Sequence, residues 1–377
     1  MITSPFVYGK IASDSQFTDR KEDCASLVQD FLNQTNTIII SPRRWGKSSL
    51  VKRAGKEAMA KDKNLRLCYL DVFNVRTEDE FYDKLARCVI EGTSGKFEEI
   101  FSTAMKYAAT LVPSIVAGDV VNTWRLEFKM GNLSRSADEI LDLAEKIARD
   151  KGIHVVVCID EFQQISNFKD SVAFQAKLRA HWQLQQHVAY CLYGSRRHMM
   201  LEVFTHPDQP FYQFGKTIFL QKIAAELWPS FIADKFKETG KEISPAQCRR
   251  IVELVDNNPY YVQQLSEEVW NRTGSNCADE TVEKAFEAVV NLHADLNLAL
   301  TQTLTISQQN LLHAIVDGVK ELTSAAVMSK YELKNSLTVQ RAKAALVKMD
   351  IIDNFGKAIS MEDPVYAYWL REIYFSR

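Results

Sequence analysis

The chain has 377 residues, too many for one typical core, so two or three domains are expected. Apolar content of 46%, charged content of 25% and a formal net charge of −2 describe an ordinary globular chain and exclude a global electrostatic footprint for nucleic acid or membrane. The seven cysteines are scattered, with no spacing that suggests zinc, and no apolar run approaches the roughly 20 residues of a membrane span. Met1 to Lys10 lacks the apolar run of a signal peptide, and singly placed cysteines fit reduced thiols, so the expected location is cytoplasmic.

In chain order, the first firm element is the β-branched run Thr37-Ile38-Ile39-Ile40, the pattern of a strand buried on both faces of a parallel sheet. A helix begins at Lys47. Leu65 to Phe73 reads as a strand and Glu78 to Ile90 as a helix. Thr93 to Arg135 reads as an insertion of two short helices, Phe97 to Phe101 and Met105 to Val112, with loops. Ser136 to Asp150 is an amphipathic helix, with Ile140, Leu143, Ala144 and Ile147 on one side. It feeds the apolar strand Ile153 to Ile159. Val172 to Gln186 is a helix, and Val188 to Tyr193 and Thr217 to Leu220 are strands. This alternation predicts a doubly wound α/β domain over residues 1–220.

Residues 221–299 then read as helices only: Ala224 to Gly240, Ser244 to Val255, Pro259 to Thr273 and Asp279 to Ala299. From residue 300 the pattern is three helices (Gln308 to Val316, Thr323 to Lys330, Thr338 to Met349) and two short strands between Ile351 and Ser360, as in a winged helix. The interval Thr301 to Ser307 between these parts is expected to be exposed in one nucleotide state and shielded in the other.

Two motifs carry chemistry. Ser41-Pro42-Arg43-Arg44-Trp45-Gly46-Lys47-Ser48, followed by Ser49, is a phosphate loop at a strand-to-helix junction, with Ser41 where the full pattern has its first glycine. Backbone N–H groups at a helix start, aided by the helix dipole, hold an anion. Gly46 is expected to let the backbone approach the phosphates, Lys47 to contact the β and γ phosphates, and Ser48 to ligate Mg²⁺. The second motif is the apolar strand ending in Asp160-Glu161, a Walker B pattern. Asp160 is expected to hold Mg²⁺ through water beside Ser48, and Glu161 to orient or deprotonate the attacking water.

Two further segments admit two readings each. Gly194-Ser195-Arg196-Arg197 follows a strand. Ser195 there could sense the γ-phosphate and Arg196 stabilise transition-state charge, or the segment could be a solvated basic turn opening a helix. Asn257-Asn258-Pro259 is either a plain N-cap with proline at the first helical position or a nucleotide contact.

Phe17-Thr18-Asp19-Arg20-Lys21-Glu22, the phosphate loop, Ile159-Asp160-Glu161-Phe162-Gln163, Tyr193-Gly194-Ser195 and Asn258-Pro259-Tyr260-Tyr261 occur in this order. Together they resemble the archaeal-type ATPase family, in the AAA+-related STAND branch of P-loop proteins. The terminal Asp363 to Leu370 also fits that family's winged helix. The resemblance, from about Phe6 to the C-terminus, implies an ATP- or ADP-binding α/β domain, a helical lid and a winged helix. It implies that Phe17, Asp19 and Arg20 lie near the adenine and that Pro259 packs toward the nucleotide. Asn257 stands where a glycine of the family's lid motif is expected.

The leading functional expectation is an ATP-dependent switch that hydrolyses ATP with Mg²⁺, binding it between the α/β domain and the lid, with an unidentified protein partner and nucleotide-dependent oligomerisation open. The alternative is a DNA-binding regulator acting through the winged helix. From Leu300 onward, however, nine bases face eight acids, far from a basic domain. A third reading is a nucleotide-stabilised scaffold with little turnover.

Overall fold

The computed structural model describes residues 3–11, 20–95, 97–107, 111–117, 124–130, 133–355 and 359–376. The chain forms two compact units. One comprises Arg20–Pro42 and Lys47–Gln221; the other comprises Met1–Asp19, Arg43–Gly46 and Lys222–Arg377.

The first unit runs α1 (Lys21–Leu32), β1 (Thr37–Ile40), α2 (Lys47–Lys61), β2 (Leu65–Asp71), α3 (Glu78–Gly92), α4 (Phe97–Tyr107), β3 (Leu111–Ala117), β4 (Trp124–Met130), α5 (Leu133–Leu141), α6 (Leu143–Lys151), β5 (His154–Asp160), α7 (Ser171–Trp182), β6 (Val188–Gly194), α8 (Arg197–Thr205) and β7 (Lys216–Phe219). Its five-stranded sheet has the order β2-β5-β6-β1-β7, with every pair parallel. β1 and β6 are buried along their whole length, and β5 is buried from Val155 to Ile159. These are the β-branched and apolar runs, as expected for strands covered on both faces. The core clusters around them, with Trp182 stacked on Tyr190 at 4.0 Å.

Several expectations are corrected. Of the helix expected over Met105 to Val112, Met105–Tyr107 end α4, residues 108–110 lie outside the described residues, and Leu111 and Val112 lie in a strand. Leu111–Ala117 pairs antiparallel with Trp124–Met130, because Pro113 and the β-branched residues around it suit an extended ribbon better than a helix. The helix expected over Ser136 to Asp150 is interrupted at Asp142, whose carboxylate meets His181 Nδ1 at 2.8 Å. Helix α1, ahead of the first strand, was not anticipated.

The second unit contains α9 (Trp228–Glu238), α10 (Pro245–Leu254), α11 (Pro259–Arg272), α12 (Thr281–Gln302), α13 (Ile306–Val316), α14 (Ala325–Lys330), α15 (Ser336–Lys348), β8 (Ile352–Asp353), β9 (Ser360–Met361) and α16 (Pro364–Trp369). The two short strands pair antiparallel. One apolar core extends through the unit from Phe6 through Phe236, Leu265 and Phe286 to Leu346 and Trp369.

The connection between the two helical parts is short. α12 continues to Gln302, and Thr301 is fully buried, its hydroxyl bonded to Asn297 O at 2.7 Å and to Tyr366 Oη at 2.8 Å. Only three residues separate α12 from α13; Leu304 among them is buried, while Thr303 and Thr305 are exposed.

Candidate nucleotide site

The site is built from strand ends. β6 lies between β1 and β5, with Ile40 opposite Gly194 and Ile159 opposite Leu192. Parallel pairing therefore brings Ser41, Asp160-Glu161 and Ser195 to the same carboxyl edge of the sheet, where ligands bind in open α/β sheets.

Lys47 and Ser48 open α2 directly after the loop. Ser48 Oγ donates to Asp160 Oδ2 at 2.7 Å, and Lys47 Nζ lies 3.8 Å from Glu161 Oε1. The two motifs, 112 residues apart in sequence, thus meet side chain to side chain. Lys47 is buried, as is Ser41, whose hydroxyl donates to Pro42 O at 3.1 Å.

Gly46 has φ +85°, and a Cβ there would meet nothing within 4 Å. Its glycine is required by the left-handed backbone rather than by crowding within the protein. Arg44, in the same loop, is left-handed too, at φ +65°.

Glu161 also has a left-handed backbone, φ +55°, at the start of a 3₁₀ turn, Phe162–Asn167. Its Oε2 accepts from Gln163 Nε2 at 2.5 Å, from Ser195 Oγ at 2.8 Å and from Ser195 N at 3.3 Å. Burial pushes the Glu161 carboxyl up, but the Lys47 ammonium and the donors from Gln163 and Ser195 together outweigh it, leaving the group below the ordinary glutamate value. For Asp160 burial prevails: its carboxyl is raised despite the pull of Lys47 and Ser48.

A desolvated carboxylate bonded to a serine hydroxyl is an oxygen donor pair suited to Mg²⁺. Among the described residues no group of three or more His, Cys, Asp or Glu side chains could hold a metal.

The remaining sequence candidates fall in different places. Arg20 is buried at the start of α1 and pairs with Asp23 at 3.0 Å. Phe17 and Asp19 lie outside the described residues. Trp45 and Ser49 are partly buried. Arg196 precedes α8, with Nη1 3.9 Å from Met199 Sδ.

In the second unit, Arg43 Nη2 lies 3.5 Å from Asp350 Oδ2. Arg44 donates to Tyr261 Oη at 3.2 Å, lies 3.5 Å from Asp363 Oδ2 and stacks over the Tyr260 ring at 4.5 Å. Tyr261 in turn donates to Asp363, which also caps α16 through Val365 N and Tyr366 N.

Asn258 caps α11 by accepting from Tyr260 N at 3.1 Å, with Pro259 buried at the first helical position. Asn257 adopts the left-handed conformation that a glycine would supply, at φ +54°. Its amide bridges Trp228 Nε1 and Ile223 O, both at 2.6 Å.

Sequence reasoning gave no role to Gln163, Tyr261 or Asp363. Gln163 stands inside the quoted Walker B string, two residues after Glu161, which was a usable signal. Nothing local marks the partners of Arg44, which lie 217 and 319 residues away.

A parallel sheet with an additional strand between the phosphate-loop strand and the Walker B strand, and both motifs at its carboxyl edge, is the arrangement of a P-loop ATPase. The description "ATPase domain predominantly from Archaea" matches residues 17–265, more than half of the chain, and "probable winged helix domain" matches residues 298–372. The chain belongs to this archaeal-type ATPase family and is an ATPase carrying a C-terminal winged helix.

Two solved structures share the fold. A Walker-type ATPase of Pyrococcus abyssi is 16% identical, with a TM-score of 0.65, 95% of this chain and 97% of that one being covered. The ORC2 protein of Aeropyrum pernix, solved as ADPNP–ADP complexes, is 14% identical, with a TM-score of 0.62 and coverage of 97% and 96%. No functionally curated protein sequence shows significant similarity to the chain. Among the described residues, no helix is long and apolar enough to cross a membrane.

Proposed function

We propose that this ATPase is a nucleotide-dependent switch of the STAND type that hydrolyses ATP with Mg²⁺. The observation that carries this reading is the meeting of Ser48 with Asp160 at 2.7 Å beside Lys47 and Glu161 at 3.8 Å. Lys47 binds the β and γ phosphates, supported by loop N–H groups at the start of α2. Ser48 and Asp160 would hold Mg²⁺, whose charge would there offset that of the phosphate oxygens. Glu161 takes the proton of the attacking water, and Ser195 reports the γ-phosphate to it. The A. pernix relative's complexes with ADPNP and ADP support ATP and ADP as the ligands.

The switching element is the loop itself. Arg44, inside the phosphate loop by sequence, is held by Tyr261 of α11 and by Asp363, the N-cap of α16. A phosphate arriving at the loop therefore bears on contacts to the helical and winged-helix segments, which we assign to residues 221–299 and 300–377. These would present the nucleotide state to a protein partner or to further copies of the chain. The near balance of charge after Leu300 does not favour DNA as the principal partner.

The test is Glu161→Gln. ATP binding measured by calorimetry should persist while turnover falls by about 10²-fold or more, the usual worth of a general base. Turnover lowered by no more than about twofold would remove Glu161 from this role. Mass spectrometry of nucleotide released from the purified protein identifies the resident ligand.

A further inference from the structure

We propose that Gln163 is a positioning residue for hydrolysis: with Ser195 it occupies one oxygen of Glu161 and so reserves the other for the attacking water. This rests on the reading of Glu161 as the base and extends it to the side chain that aims it.

The two oxygens of Glu161 are in unlike surroundings. Oε2 accepts three hydrogen bonds, from Gln163 Nε2 and from the hydroxyl and backbone N–H of Ser195. Oε1 has Lys47 Nζ at 3.8 Å, on the side where a phosphate bound by that ammonium lies. A carboxylate rotates freely about its last bond unless one oxygen is tied down. Three donors on Oε2 fix that rotation and leave Oε1 as the basic atom.

The orientation of the Gln163 amide follows from charge. Turned the other way, its carbonyl oxygen would face a carboxylate oxygen at 2.5 Å, acceptor against acceptor.

Two independent features show that the fold accommodates this side chain at a cost. Gln163 is almost completely buried, and its Oε1 has no hydrogen-bond partner. A buried, unsatisfied amide oxygen lowers stability, so packing alone does not account for a glutamine here. In addition, a Cβ at Gly194 would overlap Gln163 Oε1 and come within 2.9 Å of Met200 Sδ. The last residue of β6 is thus a glycine where only a glycine leaves room for the amide. Its φ is not positive, so backbone conformation does not require one.

The experiment compares full-length wild type with Gln163→Leu, Gln163→Asn and Gly194→Ala, each also combined with Glu161→Gln. It reads single-turnover phosphate release from ATP with Mg²⁺, the affinity for a non-hydrolysable ATP analogue, and thermal melting by circular dichroism. Leucine keeps the volume without the donor, asparagine withdraws the donor by one methylene, and alanine at 194 displaces Gln163 without altering it.

All three variants should hydrolyse about 10- to 100-fold more slowly, the usual consequence of a misplaced catalytic group, with analogue affinity within about twofold of wild type. In the Glu161→Gln background none should slow the residual rate further, because no base remains to be aimed.

Wild-type hydrolysis by folded Gln163→Leu and Gln163→Asn, with Glu161→Gln still slow, would overturn the positioning role and leave the base intact. Faster hydrolysis would show restraint rather than positioning and overturn it as well. An equal further loss in the Glu161→Gln background would mark a general packing effect and do the same. An unimpaired Glu161→Gln would instead fail the underlying reading, and the proposal with it.

Discussion

Glu161 and Arg44 are both non-glycine residues held in the left-handed backbone region beside the candidate nucleotide site, yet they are held in opposite ways. Glu161 is fixed by its own unit: Gln163 is two residues away, and Ser195 comes from the neighbouring strand end. Arg44 is fixed by side chains 217 and 319 residues distant, on α11 and at the cap of α16. The group that would do chemistry is therefore set by residues at the sheet's carboxyl edge. The loop that would hold phosphate is set by the helical and winged-helix parts of the chain.

The comparison can be broken at the point common to both halves. Lys47 follows the loop directly and faces Glu161, so Lys47→Ala should abolish nucleotide binding in calorimetry, because loop N–H groups alone compensate phosphate charge poorly. Unchanged ATP affinity would remove the phosphate-loop assignment.

A smaller effect sharpens the sheet-edge half. Leu192 is fully buried in β6, two residues before Gly194. Leu192→Ala should destabilise by about 2–5 kcal/mol, the range for such core truncations. Urea denaturation followed by circular dichroism would show this as a lower midpoint for the transition of the sheet-containing unit.

The smallest effect concerns the anchored half. Asp363→Asn preserves an N-capping side chain for α16 while removing the charge opposite Arg44. That pair, 3.5 Å apart, is partly exposed, so less than about 1 kcal/mol of stability should be lost. The expected signature is a changed ratio of ATP to ADP affinity with the melting temperature nearly unaltered. A ratio equal to that of wild type would separate the Arg44 anchorage from nucleotide state.

Much of this was legible in the chain itself, for a local reason. The runs Thr37 to Ile40 and Val155 to Ile159, the helix start at Lys47, the acids closing the Walker B strand and the Asn258-Pro259 cap are statements about neighbouring residues. Spacing and backbone preference decide them wherever the segment ends up. Propensity is ambiguous at Leu111 and Val112, whose apolar side chains fit a helix face as well as the strand they form. Thr301, near the end of α12, is buried with its hydroxyl against Tyr366, 65 residues onward, a contact no local pattern marks.

What only the tertiary structure decided is who meets whom. Strand order places β6 between β1 and β5, which brings Ser195 to Glu161 and makes Gly194 the clearance for Gln163. Folding turns Asn257 into a functional glycine by giving its amide two buried partners, and it supplies Arg44 with Tyr261 and Asp363. Each of these depends on contacts between segments distant in sequence. Their free energies are settled by packing and desolvation in the assembled core, which no window of neighbouring residues contains.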